Sequence, residues 1–224
     1  MPFQPSPCES CRASLSVAPA LQAPHPLKRI RARWWLTGRS YRILLKWKNQ
    51  PTSLLNSCLF QDNPQGTWRD HQQWAVQSAD VIVPIPQAFS RSWALGHTPS
   101  LRIAKELARG TKLPILPLLQ FNTPIPEETY KRQAQLKKNE RWTRQNRWTV
   151  DMAIKISTSK RVLLVDDILT TGGTLASAGK TLKDWGYTET SAWVLGFRPW
   201  LKESKADPSA RKFPKTCVIP TATP

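Results

Sequence analysis

Arg161-Val162-Leu163-Leu164-Val165-Asp166-Asp167-Ile168-Leu169-Thr170-Thr171-Gly172-Gly173-Thr174 is the stretch whose reading decides the fold. Four consecutive apolar residues, bounded by an arginine and two carboxylates, predict a strand buried on both faces, as in a parallel sheet. The chain then turns through threonines and glycines into a segment with Leu175, Ala178, Leu182 and Trp185 on one helical face, ending before Gly186. Ser191 to Phe197 supplies the next strand.

Upstream the same texture repeats. Val81-Ile82-Val83 is a β-branched run that stops at Pro84 and Pro86. Thr98-Pro99 opens a helix over 99–109, with Leu101, Ala104, Leu107 and Ala108 as its apolar stripe and Gly110 as its stop. Leu113 to Leu119, interrupted by Pro114 and Pro117, reads as a short strand. Alternation of strands and helices predicts an α/β fold with an open, mainly parallel sheet, in which ligands sit at the carboxyl ends of the strands.

The turn after the strand has a definite chemistry. A helix start carries unpaired backbone N–H groups and about half a positive charge. Gly172 and Gly173 permit positive φ and close approach of an anion, and the hydroxyls of Thr170, Thr171 and Thr174 can donate to phosphate oxygens. Asp166 and Asp167, just before the turn, are acceptors suited to sugar hydroxyls or a hydrated Mg²⁺. The constellation reads as a sugar-phosphate site. Two rival readings exist. Gly179-Lys180-Thr181 imitates the end of a nucleotide-binding phosphate loop, but Gly173 lies six positions before Gly179 where that motif demands five, and Gly179 falls within the helix. The other rival is a ligand-free strand-turn-helix capped by threonines.

The chain has 224 residues with 33 Lys or Arg against 15 Asp or Glu, a formal charge of +18. At that length one embellished domain or two small ones are expected. Apolar residues make up 40%, which excludes wholesale disorder, and no run is long enough for a membrane helix. The first residues lack a secretory pattern, so a cytoplasmic location with reduced cysteines is expected. Composition divides the chain into an irregular arm (1–27), a basic, Trp-rich helical region (28–77), the α/β domain (78–198) and a disordered tail (199–224). Residues 61–72 are polar and read as a loop, and 129–148 as an exposed, mobile segment.

Between Lys28 and Lys48 eight basic residues occur with no acidic one, and after Gly38 the positions Tyr41, Leu44, Leu45 and Lys48 keep helical spacing. Eleven tryptophans are present, several beside cations, including Trp142 and Trp148. Arg33, Trp34, Trp35, Lys46, Trp47 and Lys48 are therefore candidates for a single-stranded nucleic-acid surface, in which bases stack on aromatic rings; a core role for the rings and a solvated face for the charges is the alternative.

The stretch from Val162 to Leu175 resembles the phosphoribosyl-pyrophosphate (PRPP) motif of type I phosphoribosyltransferases: four apolar positions, two acidic ones, then Thr-Thr-Gly-x-Thr. The Asp80 to Pro86 strand, Arg91, Leu95-Gly96, the following helix, and the spacing of Gln133, Leu136 and Arg141 are similar to ComF-type competence proteins, over most of residues 8–198. The resemblance implies the type I phosphoribosyltransferase fold, with Asp166 and Asp167 as the catalytic pair at the ribose hydroxyls and Thr170, Thr171, Gly172, Gly173 and Thr174 around the 5-phosphate. It implies Pro86, Gln87 and Arg91 in a pyrophosphate loop, and Lys131, Arg132 and Arg141 in a mobile loop over the site. Mg²⁺ accompanying PRPP, single-stranded DNA and the DNA-uptake machinery of natural transformation are the implied partners; the alternative is an active phosphoribosyltransferase of nucleotide or nucleobase metabolism. This chain has Leu95-Gly96-His97-Thr98-Pro99 where the family shows Arg-Gly-Phe-Asn-Gln. Cys8 and Cys11 match one ligand pair of the family's zinc element, with His25, Cys58, His71 and Cys217 as scattered candidates for the rest of a tetrahedral set; the alternative is two free thiols.

Overall fold

The computed structural model describes residues 14–60, 62, 67–87, 98–121 and 148–198. Strands β1 (Ser16–Val17), β2 (Ile30–Trp35), β3 (Val81–Pro84), β6 (Val162–Leu169) and β7 (Thr190–Phe197) form one sheet in the order β1-β2-β7-β6-β3. Only β1 runs antiparallel to its neighbour; β2–β7, β7–β6 and β6–β3 are parallel, and a single parallel bridge joins Ile82 to Ile115 at the β3 edge. A two-stranded antiparallel ribbon, β4 (Leu119–Phe121) with β5 (Trp148–Val150), lies apart from it. The expected α/β architecture with a mainly parallel sheet is the one observed.

Helices cover both faces. Helices α1 (Gly38–Asn49), α2 (Ser53–Phe60), α3 (Trp68–Ser78) and α4 (Pro99–Ala108) pack against one, where Leu44, Trp47, Leu59, Ala75, Ile103 and Leu107 meet Leu163, Val165, Trp193 and Leu195. Helix α5 (Gly173–Asp184) and the β4–β5 ribbon pack against the other, through Leu175, Ala178, Leu182 and Trp148 on Val162, Leu164, Ala192 and Val194. The pleat explains the division, because successive residues of a strand point to opposite faces. All four residues from Val162 to Val165 are fully buried, each contributing roughly 1.5–3 kcal/mol of burial free energy.

Around the central motif β7 and α5 have the expected limits to within a residue or two, but β6 runs four residues past Val165, through both aspartates to Leu169, because its pairing with β7 continues to Phe197; Trp185 is the C-cap of α5 and is exposed rather than part of its buried stripe. Three segments depart from expectation further off. Ile30–Trp35 is a strand of the central sheet, not part of a helical region, since its register on β7 satisfies its backbone. Residues 68–72 are helical rather than loop: Thr67 Oγ1 accepts a hydrogen bond from Asp70 N (3.1 Å) and Asp70 Oδ2 accepts one from Thr67 N (3.1 Å), a capping box that starts α3 despite its polar composition. Leu113 to Leu119 contributes the one-residue bridge at Ile115, because Pro114 and Pro117 lack the donors a strand needs. Most of the 129–148 segment and the whole tail lie outside the described residues; Trp148, at the end of that segment, is buried in β5.

Candidate sugar-phosphate site

Strand β6 ends at Leu169, and the chain passes through Thr170 and Thr171 to Gly172, the N-cap of α5. Gly172 has φ +77° and ψ −1°, a left-handed conformation that costs a side-chain-bearing residue about 1–2 kcal/mol. A Cβ there would also lie 3.2 Å from Pro24 Cγ, so the turn needs glycine for both shape and space. Arg198 N donates to Leu169 O (2.9 Å) and holds the strand end. Ala176 N donates to Gly172 O (2.8 Å) and closes the first turn of the helix. Leu175 is buried and fixes that turn to the core, whereas Thr170, Thr171, Gly173 and Thr174 are exposed. The result is a helix start with exposed threonines on either side of its glycine cap and first-turn N–H groups that have no intrahelical acceptor, features that suit a phosphate.

The two carboxylates part company. Asp166 is half-buried, and its Oδ1 accepts a hydrogen bond from Asp167 N (2.9 Å). Asp167 is 5% exposed and forms an ion pair with Lys48 Nζ, itself on a residue 7% exposed. The pyrophosphate-loop candidates stand near this end of the sheet: Ile85 N donates to Val165 O (2.9 Å), and Ser100 Oγ at the start of α4 donates to Ile85 O (2.6 Å). Pro86 and Gln87, both half-buried, follow directly on this contact, which lies four residues before β6 ends at Leu169. Gln87 Oε1 is shielded from solvent and has no hydrogen-bond partner among the described residues. Arg91, Lys131, Arg132 and Arg141 lie outside the described residues.

The expected nucleic-acid surface is largely interior. Arg33, Trp34, Trp47 and Lys48 are 1%, 1%, 0% and 7% exposed, so none of the four can stack on or pair with a nucleic acid. Trp34 Nε1 donates to Leu59 O (3.1 Å) and Trp47 Nε1 to Asn56 Oδ1 (2.7 Å). The Arg33 guanidinium lies 4.5 Å from the Trp34 ring centre and 5.0 Å from that of Trp68, cation–π contacts that replace part of its lost hydration; burial still draws its pKa down to about 10. Trp35 is half-buried against Phe197, with ring centres 5.3 Å apart, and Lys46 alone of the six is exposed. Tryptophans beside cations here mean a core that encloses cations, not a stacking platform.

Zinc finds no set of ligands in this part of the chain. Cys58 is buried in α2 within the apolar core, and His71 is buried among Trp68 and Trp193, its Nδ1 accepting a hydrogen bond from Trp193 Nε1 (3.2 Å). Among the described residues no group of three or more His, Cys, Asp or Glu side chains converges as a metal site; Cys8, Cys11 and Cys217 lie outside them. No helix among the described residues is long and apolar enough to cross a membrane.

Several participants escaped sequence reasoning. Pro24 packs behind Gly172, and Leu27 occupies the space where a Cβ on Gly179 would lie, 2.7 Å away, so part of the arm buttresses the turn and its helix. Nothing in a proline-rich arm signals this. Lys48 did leave a signal: it stands four residues after Leu44, in phase with the buried stripe of α1, where a lysine requires an anionic partner.

A β-strand delivering an acidic pair, then a left-handed glycine and threonines opening a helix on a parallel sheet, define the phosphoribosyltransferase class. The profile of the family described as "Phosphoribosyl transferase domain" matches residues 101–212, half of the chain, and the chain belongs to that family. Competence protein F of Haemophilus influenzae is 28% identical over 127 residues, 57% of this chain and 53% of that protein. The chain thus spans about half the length of this curated relative, and the ComF-type resemblance read from the sequence is borne out.

Proposed function

We propose that the turn from Thr170 to Thr174 binds the 5-phosphate of PRPP or a related sugar phosphate, and that the protein acts in the uptake of single-stranded DNA during natural transformation. The observation that supports the ligand assignment is the left-handed Gly172 at the N-cap of α5, which opens the helix directly after the exposed Thr170 and Thr171 and before the exposed Thr174, a few residues on from Asp166. Asp166 fits the role of acceptor for a ribose hydroxyl or for the water shell of a Mg²⁺ that arrives on the pyrophosphate. The ion would neutralise phosphate charge at this mouth, which has backbone and hydroxyl donors and a carboxylate acceptor but no basic residue from Val162 to Gly179.

The place in DNA uptake is supported by the name and similarity of Competence protein F, and by the chain's charge of +18. With Arg33 and Lys48 internal, direct DNA contact would fall to exposed cations such as Lys28, Arg29 and Lys46. An active phosphoribosyltransferase with an unidentified acceptor is the second reading, and the intact phosphate turn favours it. Calorimetric titration with PRPP, ribose 5-phosphate and inorganic phosphate, each with and without Mg²⁺, tests the ligand assignment. Saturable binding of PRPP strengthened by Mg²⁺ is expected; no binding of any of the three refutes it. For DNA, anisotropy of a labelled single strand should rise on binding and fall steeply with salt, and an absent signal at low salt refutes direct contact.

A further inference from the structure

The family motif presents two adjacent acids, yet in this chain one of them is already occupied. Asp167, in phase with Leu163 and Val165, meets Lys48 of α1, whereas Asp166 follows Val162 and Leu164, whose side chains face α5; the alternation breaks only beyond the pair, where Ile168 packs on the α1 side and Leu169 on the α5 side. Helix α1 brings Lys48 to Asp167 from a buried position one residue past Trp47, and both members of the ion pair are almost wholly removed from water. A buried carboxylate paired in this way is held in place, because parting it from its cation inside the protein would leave two uncompensated charges. Helix α1 also lies outside the residues matched by the family profile.

We infer that the site is a one-acid site: Asp166 is the motif carboxylate that meets the ligand, and Asp167 is an interior anchor whose charge is taken by Lys48. The inference rests on the sugar-phosphate reading above and sharpens it. Lys48, grouped by the sequence with nucleic-acid contacts, then serves to fasten α1 to the end of β6, immediately before the phosphate turn.

The test compares PRPP affinity, measured by calorimetry with Mg²⁺, in the wild-type chain, Asp166→Asn and the double variant Lys48→Met with Asp167→Asn, which removes both charges at nearly constant volume. Asp166→Asn is expected to weaken binding about tenfold or more, as loss of a hydrogen bond to a charged group does, while the double variant stays within about threefold of wild type. A folded double variant as weak as Asp166→Asn overturns the inference and leaves the site assignment intact. Absence of binding by the wild-type chain overturns the site assignment, and the inference with it. If the double variant fails to fold, lysine labelling of the wild-type protein decides: Lys48 should resist labelling relative to Lys46 both with and without PRPP. Labelling of Lys48 that appears when PRPP is added would mean that the ligand recruits Asp167, and would overturn the inference.

Discussion

Acidification from pH 7 to pH 5 should destabilise this protein through His71. The imidazole is 4% exposed, enclosed by Trp68 and Trp193, and its Nδ1 must be unprotonated to accept the Trp193 Nε1 hydrogen. Burial foremost, then the Arg33 and Arg31 charges, push its pKa from 6.5 down to about 3, against a smaller opposing pull from Asp70. In the unfolded chain the same group titrates near 6.5. Its contribution is therefore complete above pH 6.5 and is lost progressively as pH falls toward 3, since the unfolded state takes up a proton that the folded state refuses. Between pH 7 and pH 5 the loss is about 2 kcal/mol at 1.36 kcal/mol per pH unit, or roughly 4–8 °C in melting temperature for a chain of this size. Thermal denaturation at half-unit pH steps, in the wild type and in His71→Asn, isolates the term: Asn keeps an acceptor for Trp193 and cannot titrate. The wild-type curve should fall more steeply than that of the variant over this interval. Parallel curves would refute the reasoning.

Other consequences follow from the same contacts. Gly172→Val forces a branched side chain into φ +77° beside Pro24; PRPP binding should vanish in calorimetry, with stability lowered by about 1–3 kcal/mol. Trp34→Ala, at a residue 1% exposed, should cost about 3–5 kcal/mol in urea unfolding, whereas a true DNA-stacking residue would lose DNA affinity with stability unchanged. Asp80 receives hydrogen bonds from Arg161 N (2.9 Å) and Nη2 (2.8 Å), which hold its pKa near 2 instead of 3.8; Asp80→Asn should lose about 1 kcal/mol at neutral pH, given its partial exposure, and the difference from wild type should disappear between pH 3.8 and pH 2, as acid unfolding would show.

The central part of the fold was legible because its signals are local. The run Val162 to Val165 is fully buried and could only be an inner strand, and Gly172 stands where a left-handed turn is needed. Helix α4 declared itself by Pro99 and Gly110. What stayed hidden depends on partners distant in sequence. Ile30–Trp35 sets Arg31 and Arg33 among apolar residues, ends in two tryptophans and looks like a surface, but its pairing with β7, some 160 residues later, puts Arg33 and Trp34 inside. Helix α3 has few aliphatic residues; its buried face is His71, Ala75 and Ser78, and its start rests on the Thr67–Asp70 capping box. The pairing of Lys48 with Asp167 joins elements more than a hundred residues apart, so the motif alone showed two equivalent acids where the structure holds two different ones.

Binding of Mg²⁺-PRPP by the wild-type protein, titrated beside Asp166→Asn, tests the account most directly. The account predicts saturable one-to-one binding that weakens about tenfold or more in the variant while its melting temperature is nearly unchanged. Equal affinity of the two proteins, or no binding by either, would contradict it.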